Sequence, residues 1–127
     1  MDGRKRLPDA ELSVMQAVWA HGGEVSRGDI EGALASHGWS VNTINTYLSR
    51  LADKGFVQVR REGKNNLYTP LVSREAYQAF DSRAVLDRLY GTPRNFVAAL
   101  AKGGLAQQDL DELRSLLDEL NGGQDRG

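Results

Sequence analysis

The 127-residue chain has no cysteine, only two histidines and only three prolines. The absence of cysteine rules out a disulfide framework, a thiol nucleophile and a thiolate metal site. No apolar run approaches the ~20 residues that a membrane-spanning helix needs, and the first residues lack the apolar stretch of a signal peptide. We therefore expect a cytoplasmic chain that does not insert into membranes and carries no cofactor.

The few residues with catalytic chemistry do not form a recognisable site. His21 and His37 each stand beside a glycine at a predicted helix end, which is typical of helix-end or surface histidines rather than of a general base. The carboxylates at positions 109–119 fit the solvated side of a helix, where the earliest ones favour its positive N-terminal end. No glycine-rich phosphate loop occurs. The sequence predicts no catalytic residue and no metal ligand, so an enzyme is disfavoured.

The net charge of -1 conceals an uneven distribution of charge. Residues 40–72 carry five basic and two acidic side chains, a local charge of +3, whereas residues 73–127 carry seven basic and nine acidic ones, a local charge of -2. A basic middle followed by an acidic end indicates that one segment meets a polyanion and the other has a different task.

Helical periodicity and capping signals predict three short helices in the first half of the chain. The first opens after Pro8 and stops at Gly22. The second begins at Ser26, with an acidic residue three positions later, and runs to about His37. The third begins at Ser40 and ends where lysine and glycine supply a C-terminal stop at positions 54–55.

A β-hairpin is predicted directly after the third helix. Residues 56–60 and 67–69 are rich in β-branched and aromatic side chains and flank a turn-forming segment at 62–65. Three helices followed by a two-stranded ribbon is the winged form of the helix-turn-helix. We predict a mainly α fold with a small β-hairpin: a winged-helix DNA-binding domain at 1–72 and a helical dimerisation domain at 73–127.

The third helix has an outer face of hydrogen-bonding side chains, opposite its apolar residues at 100° per residue. Asparagine can form two hydrogen bonds with adenine, and arginine can bind guanine or phosphate. Threonine can form a hydrogen bond with a base edge or contact a thymine methyl group. An ordinary solvated face is the alternative, but such a face usually carries Glu/Lys pairs. We predict that this helix reads double-stranded DNA through Asn42, Thr43, Asn45, Thr46, Ser49 and Arg50.

Basic side chains cluster on and beside the hairpin, where a wing lies along the DNA backbone and fixes its register. We predict phosphate contacts from Arg60, Arg61 and Lys64. The aromatic residues Trp19, Trp39 and Tyr68 have spacings typical of a core, so we do not expect them to stack on bases.

The last two predicted helices carry more apolar surface than they can bury between themselves. Their coiled-coil-like spacing favours a two-fold homodimer and an approximately palindromic operator; the alternative is that they pack back on the winged head of a monomer. The predicted dimerisation residues are Phe96, Val97, Leu100, Leu105, Leu110, Leu113, Leu117 and Leu120.

One combination of residues extends through the first and third predicted helices and the hairpin: Glu11, Val14, Met15 and Trp19; Trp39, Ser40, Thr43, Ile44, Thr46, Leu48, Arg50, Leu51, Lys54 and Gly55; and Gly63, Tyr68, Thr69 and Pro70. On these residues the chain resembles the penicillinase repressor family (BlaI, MecI and CopY) over roughly residues 7–120. The resemblance implies a dimeric transcriptional repressor, bound to a dyad operator near an antibiotic-resistance or stress gene. A winged helix used only for protein interaction, without base-specific DNA binding, is the alternative function.

Two family mechanisms do not transfer directly. Copper-responsive members carry a cysteine-rich tail, which this cysteine-free chain lacks. Penicillinase members are inactivated when a membrane sensor protease system leads to cleavage of an Asn-Phe bond in the helix before the last. The corresponding bond here is Ala99-Leu100, while an Asn95-Phe96 pair lies about one helical turn upstream. The resemblance therefore implies cleavage at Ala99-Leu100 and a membrane sensor protease system as a partner, although the Asn-Phe pair of the family is absent from that position.

Overall fold

The computed structural model describes residues 6–125, with side chains as far as 122. One compact unit ends at Ala84 and a second begins at Val85. The winged-helix order that the sequence predicts is present in the first unit. The elements in chain order are α1 (Asp9–His21), β1 (Val25–Ser26), α2 (Arg27–Ala33), α3 (Val41–Asp53), β2 (Val57–Glu62), β3 (Asn65–Pro70), α4 (Arg74–Val85), α5 (Pro93–Gly103) and α6 (Gln107–Asp125).

Local capping explains where several helices start. The hydroxyl oxygens of Ser26 and Ser40 accept the backbone N–H groups three residues on, both at 3.1 Å, at the starts of α2 and α3. At the start of α5 the hydroxyl oxygen of Thr92 accepts the backbone N–H of Asn95 at 3.2 Å, and Pro93 occupies the first turn. α2 is shorter than predicted, because Ala35–His37 form a separate 3₁₀ turn that stops at Gly38. Gly38 has a φ of 68°, which glycine adopts without strain.

The sheet has three antiparallel strands in the order β1-β3-β2. Tyr68 of β3 pairs with Val25 on one side and with Val59 on the other. The hairpin predicted from sequence is therefore present, and the short extended segment at positions 25–26 joins it as a third strand.

The core of the first unit includes residues from beyond the hairpin. Met15, Leu51 and Phe56 are among its fully buried side chains. Tyr77 of α4 is buried with them and makes an edge-on contact with Phe56, with ring centroids 5.7 Å apart. The start of α4 therefore packs with the winged head, and the compact units divide after Ala84, later than the domain boundary predicted at 72.

The second unit has few buried side chains. Tyr90, at the end of a π-helical turn at Leu86–Tyr90, packs edge-on against Phe96 of α5, with centroids 5.0 Å apart. No residue of α5 is buried. No helix among residues 6–125 combines the length and the apolar character that crossing a membrane requires.

Candidate nucleic-acid interface

α3 has two clearly different faces. Ile44, Leu48 and Leu51 are buried in the core of the first unit. The six polar side chains predicted to read DNA lie on the same helix outside this buried face, on a surface that they share with the exposed Val41 and the half-buried Tyr47. Four of them are exposed and two half-buried: Asn42, Thr46, Ser49 and Arg50 are exposed, and Thr43 and Asn45 are half-buried.

Two threonines of α3 have hydroxyl groups that are already engaged. Thr43 accepts a hydrogen bond from the capping hydroxyl of Ser40, at 3.0 Å. Thr46 donates to the backbone carbonyl of Asn42, at 3.0 Å. Because that bond uses its only proton, the Thr46 hydroxyl can offer an approaching base only an acceptor, alongside its methyl group. The Asn42 side chain has no hydrogen-bond partner among the described residues, so its two amide donors and its acceptor are available to a partner.

A buried carboxylate fixes the C-terminal half of α3 against α1. Glu11 is 3% exposed and accepts from the ammonium of Lys54, with Nζ and Oε1 2.5 Å apart. Its other oxygen lies 4.0 Å from a guanidinium nitrogen of Arg50. Charge-assisted contacts of this kind hold α3 in a defined position against α1. The sequence analysis placed Lys54 in the family pattern but did not find its partner, because 43 residues separate the two.

The hairpin, which we call the wing (57–70), carries Arg60 in a network of ion pairs. The guanidinium donates from Nε and Nη2 to both oxygens of Glu24, at 3.0 and 2.9 Å. A third bond runs from Nη1 to Glu62, at 3.1 Å. The hydrogen bonds that Arg60 donates to Glu24 are the chief cause of both the lowered pKa of Glu24 and the raised pKa of Arg60. Arg60 is thus accessible, but its charge is balanced by the carboxylates of Glu24 and Glu62. The sequence analysis did not identify Glu24 as part of this site.

The other two predicted wing cations are less constrained. Arg61 donates from Nε to the backbone carbonyl of Gly63, at 3.1 Å. Lys64 is exposed and forms no ion pair among the described residues. It lines a shallow cleft of about 210 Å³ together with Ser26, Arg27, Gly28, Asn65 and Asn66. The wing therefore presents Lys64 as a free positive charge beside amide donors.

The histidines and carboxylates do not assemble into a metal site within residues 6–125. His37 stacks on Trp39, with ring centroids 4.3 Å apart, and Trp39 meets Tyr47 edge-on at 5.2 Å. Trp39 is half-buried and Tyr68 is buried, in agreement with the core role predicted for them.

The predicted dimerisation residues lie on α5, on α6 and on the segment between them; the four on one side of α6 are here called the leucine stripe: Leu110, Leu113, Leu117 and Leu120. Phe96, Leu105 and Leu113 are half-buried, and the rest are exposed: Val97, Leu100, Leu110, Leu117 and Leu120. Leu116 is 48% exposed and adds to this surface, although the sequence analysis did not include it. Ala99 and Leu100, the predicted cleavage pair, lie inside α5 and are exposed.

Comparison with known proteins shows which family the chain resembles. The family model for the penicillinase repressor matches residues 7–119. A penicillinase repressor of Bacillus licheniformis is 33% identical over 120 residues, covering 91% of this chain and 94% of the relative. The methicillin resistance regulatory protein MecI of Staphylococcus aureus (strain N315) is 28% identical over 126 residues, covering 89% and 94%. The solution structure of the DNA-binding domain of the repressor BlaI matches 57% of this chain and 88% of that domain, at 34% identity and a TM-score of 0.51.

Proposed function

The chain belongs to the penicillinase repressor family, and from that premise we propose that it represses a resistance or stress-response gene as a cytoplasmic homodimer bound to a palindromic operator. Members of this family are DNA-binding transcriptional regulators rather than enzymes. The observation that carries the proposal is the outer face of α3. It presents exposed hydrogen-bonding side chains on a helix whose other face is buried in a head like the BlaI DNA-binding domain.

We assign base reading to α3 because its side chains can address the major groove. Asn42 has free amide groups that match the edge of adenine. Thr46 offers a methyl group and an acceptor, because its proton is held by the carbonyl of Asn42. Arg50 leans toward Glu11 yet remains largely exposed, so it can reach guanine or a phosphate. Thr43, Asn45 and Ser49 complete the proposed reading face.

We assign phosphate contacts to the wing. Lys64, Arg61 and Arg60 lie on or beside the hairpin turn, at the place where a wing follows the DNA backbone. Lys64 pairs with no carboxylate among residues 6–122, so it contributes its full charge there. Arg60 contributes only after it exchanges its carboxylate partners for phosphate.

The dimer is proposed from the leucine stripe of the second unit. A chain that left Leu110, Leu117 and Leu120 in water would expose a contiguous apolar strip, which usually marks an interaction site. A second copy is the partner that fits, because an apolar stripe at heptad spacing pairs well with itself around a two-fold axis. Two heads also double the length of DNA that is read, which a repressor needs among a genome's competing sites.

We further propose that cleavage of the Ala99-Leu100 bond inactivates the protein. The bond lies in the interior of α5, so a protease can reach its backbone only if the helix opens locally. Cleavage there would separate α6 from the DNA-binding head and remove part of the proposed interface. The protein would then release its operator. A membrane sensor protease system is the proposed partner in this step, by resemblance to the family.

A salt titration of duplex binding tests the proposed function. We expect binding of the full chain to a fluorescent duplex to weaken steeply with KCl, and Lys64→Ala to reduce the slope of log K against log salt by about 0.9. Glu75→Ala is the matched control, because Glu75 is exposed in α4 outside the proposed interface. Absence of duplex binding at low salt would instead favour a winged helix that binds only proteins.

A further inference from the structure

The cleft of about 210 Å³ beside Lys64 joins two segments that are far apart in sequence. We call it the wing cleft, and its walls are Ser26, Arg27, Gly28, Lys64, Asn65 and Asn66. Ser26 of β1 pairs with Leu67 of β3. In an antiparallel pair the residues that follow Ser26 run beside those that precede Leu67. The sheet register therefore brings Arg27 to the wing turn.

The wing cleft is lined by cations and amides, and no acidic side chain lines it among the described residues. Lys64 is exposed and forms no ion pair with residues 6–122. The side chains of Asn65 and Asn66 have no hydrogen-bond partner in the same part of the chain, and each carries two amide donors. A cleft of this composition suits an anion.

Arg27 has a free edge, although an ion pair within α2 restrains it. Its Nε lies 2.9 Å from a carboxylate oxygen of Glu31, one helical turn further along. The donors on its two terminal nitrogens make no hydrogen bond to a described residue. Arginine uses a pair of such donors to bind two oxygens of a phosphate in parallel hydrogen bonds. Glu31 balances part of the charge of Arg27, so Lys64 supplies the net positive charge of the cleft.

We propose that the wing cleft binds one phosphate of the DNA backbone, held between Lys64 and Arg27. The amides of Asn65 and Asn66 are further donors to the same group. This inference rests on the proposed DNA-binding function and adds Arg27 to the phosphate contacts assigned to the wing. The wing of a winged helix lies along the DNA backbone, so a cleft at its turn is in place to receive a phosphate. Such a contact positions the protein on the duplex without reading sequence.

Loss of either cation should remove the same contact. Arg27→Gln should weaken duplex binding about five- to tenfold near 0.1 M KCl and lower the salt slope by about 0.9 per bound subunit, as expected for one phosphate. Lys64→Gln should do the same. Because the two cations hold one phosphate, the double variant should also lower the slope by about 0.9 per bound subunit. Random-sequence and selected duplexes should lose affinity equally, because phosphate contacts carry no sequence information.

Fluorescence anisotropy with the full chain, over a series of KCl concentrations, measures these affinities and slopes. Arg74→Gln is the matched control, because Arg74 is an exposed arginine of α4 outside the proposed interface. Circular dichroism should give about the same melting temperature for Arg27→Gln as for the wild type, since exposed ion pairs such as Arg27–Glu31 contribute little to stability.

Gly28→Asp tests the cleft without changing either cation. A side-chain carbon at Gly28 would meet the hydroxyl oxygen of Ser26 at 3.8 Å, which is an ordinary contact. An acidic residue in the first turn also favours a helix. The melting temperature should therefore equal or exceed that of the wild type, while the added carboxylate repels phosphate and weakens duplex binding at least as much as Arg27→Gln does.

The inference is overturned if Arg27→Gln weakens duplex binding no more than Arg74→Gln, or if Gly28→Asp binds the duplex like the wild type. A slope loss of about 1.8 per bound subunit in the double variant would mean two separate phosphates and no shared site. Titration with sodium phosphate in the absence of DNA identifies a site for a free anion. If Arg27→Gln abolishes that binding and leaves duplex binding unchanged, the cleft does not take the DNA backbone.

Failure of the cleft and failure of the proposed function give different results. A wild-type protein that binds the duplex while Arg27→Gln behaves like the control contradicts the role of the cleft alone. A wild-type protein that binds no duplex at low salt contradicts the proposed function as well.

Discussion

The phenolic oxygen of Tyr77 accepts a hydrogen bond from the backbone N–H of Leu7 at a distance of 2.7 Å, and both residues are buried. This contact joins the segment before α1 to the first turns of α4. Nearby, the indole N–H of Trp19 donates to the carbonyl of Val72, at 2.9 Å. Residues that follow the wing therefore help to complete the core of the first unit, and the start of α4 is part of that core.

A fragment that ends at Val72 should fold much less well than one that ends at Ala84. The shorter fragment lacks Tyr77, and loss of a large buried aromatic side chain costs about 3–5 kcal/mol. Since domains are stable by only about 5–15 kcal/mol, we expect a markedly lower melting temperature for the shorter fragment by circular dichroism. Equal melting temperatures would mean that α4 is dispensable to the head.

Tyr77→Phe separates the contribution of the Leu7–Tyr77 hydrogen bond from that of the buried ring. The substitution keeps the ring but leaves the Leu7 N–H without its acceptor, so the free energy of unfolding should fall by about 1–3 kcal/mol. Urea unfolding followed by tryptophan fluorescence measures it, because Trp19 lies 5.8 Å from the Tyr77 ring. Tyr90→Phe, in the second unit, serves as the control.

The same residue predicts a dependence of stability on pH. Burial is the main cause of the raised pKa of Tyr77. The folded state therefore keeps this proton at a pH where the unfolded chain loses it. The stabilisation is fully present below the unfolded tyrosine pKa of about 10 and is lost as the pH rises further. Tyr77→Phe should remove this contribution to the loss of stability above about pH 10. If the free energy of unfolding falls with rising pH equally in both proteins, Tyr77 is not the titrating group.

Some of this architecture was accessible from sequence because its causes are local. The caps at Ser26 and Ser40 and the apolar period of α3 each act within a few residues, so the helices and the polar face could be predicted. The contacts between Glu24 and Arg60 and between Leu7 and Tyr77 depend on how distant segments pair, which spacing along the chain does not reveal. For the same reason, spacing along the chain does not reveal that Tyr77 of α4 packs with the buried core of the first unit.

The reading face can be tested one side chain at a time. Asn42→Ala and Thr46→Ala should each alter the preferred base at one position of the selected sequence, at a cost of about 1–3 kcal/mol for a good contact. Thr46→Val keeps the methyl group and removes the acceptor, so it separates methyl contact from hydrogen bonding. Unchanged base preferences in the Ala variants would assign reading to another element.

The dimer prediction uses two acidic substitutions on α6. Leu117 is 58% exposed in the single chain, so Leu117→Asp should leave the fold of each unit intact while placing a charge in the proposed interface. Ser115→Asp, on the opposite side of the helix at 100° per residue, is the control. Sedimentation at micromolar concentration should show a dimer for the wild type and the control and a monomer for Leu117→Asp. A monomeric wild type would refute the dimer.

Selection of duplexes from a random DNA pool by the wild-type protein tests the central claim most directly. If two copies of α3 read an operator around a two-fold axis, the enriched sequences should contain two inverted half-sites whose centres lie about 10 base pairs, or a multiple of that, apart. Both half-sites should change together in the pool selected by Asn42→Ala. A pool without enrichment, or one enriched only in a single asymmetric site, would contradict the account of a dimeric, base-reading repressor.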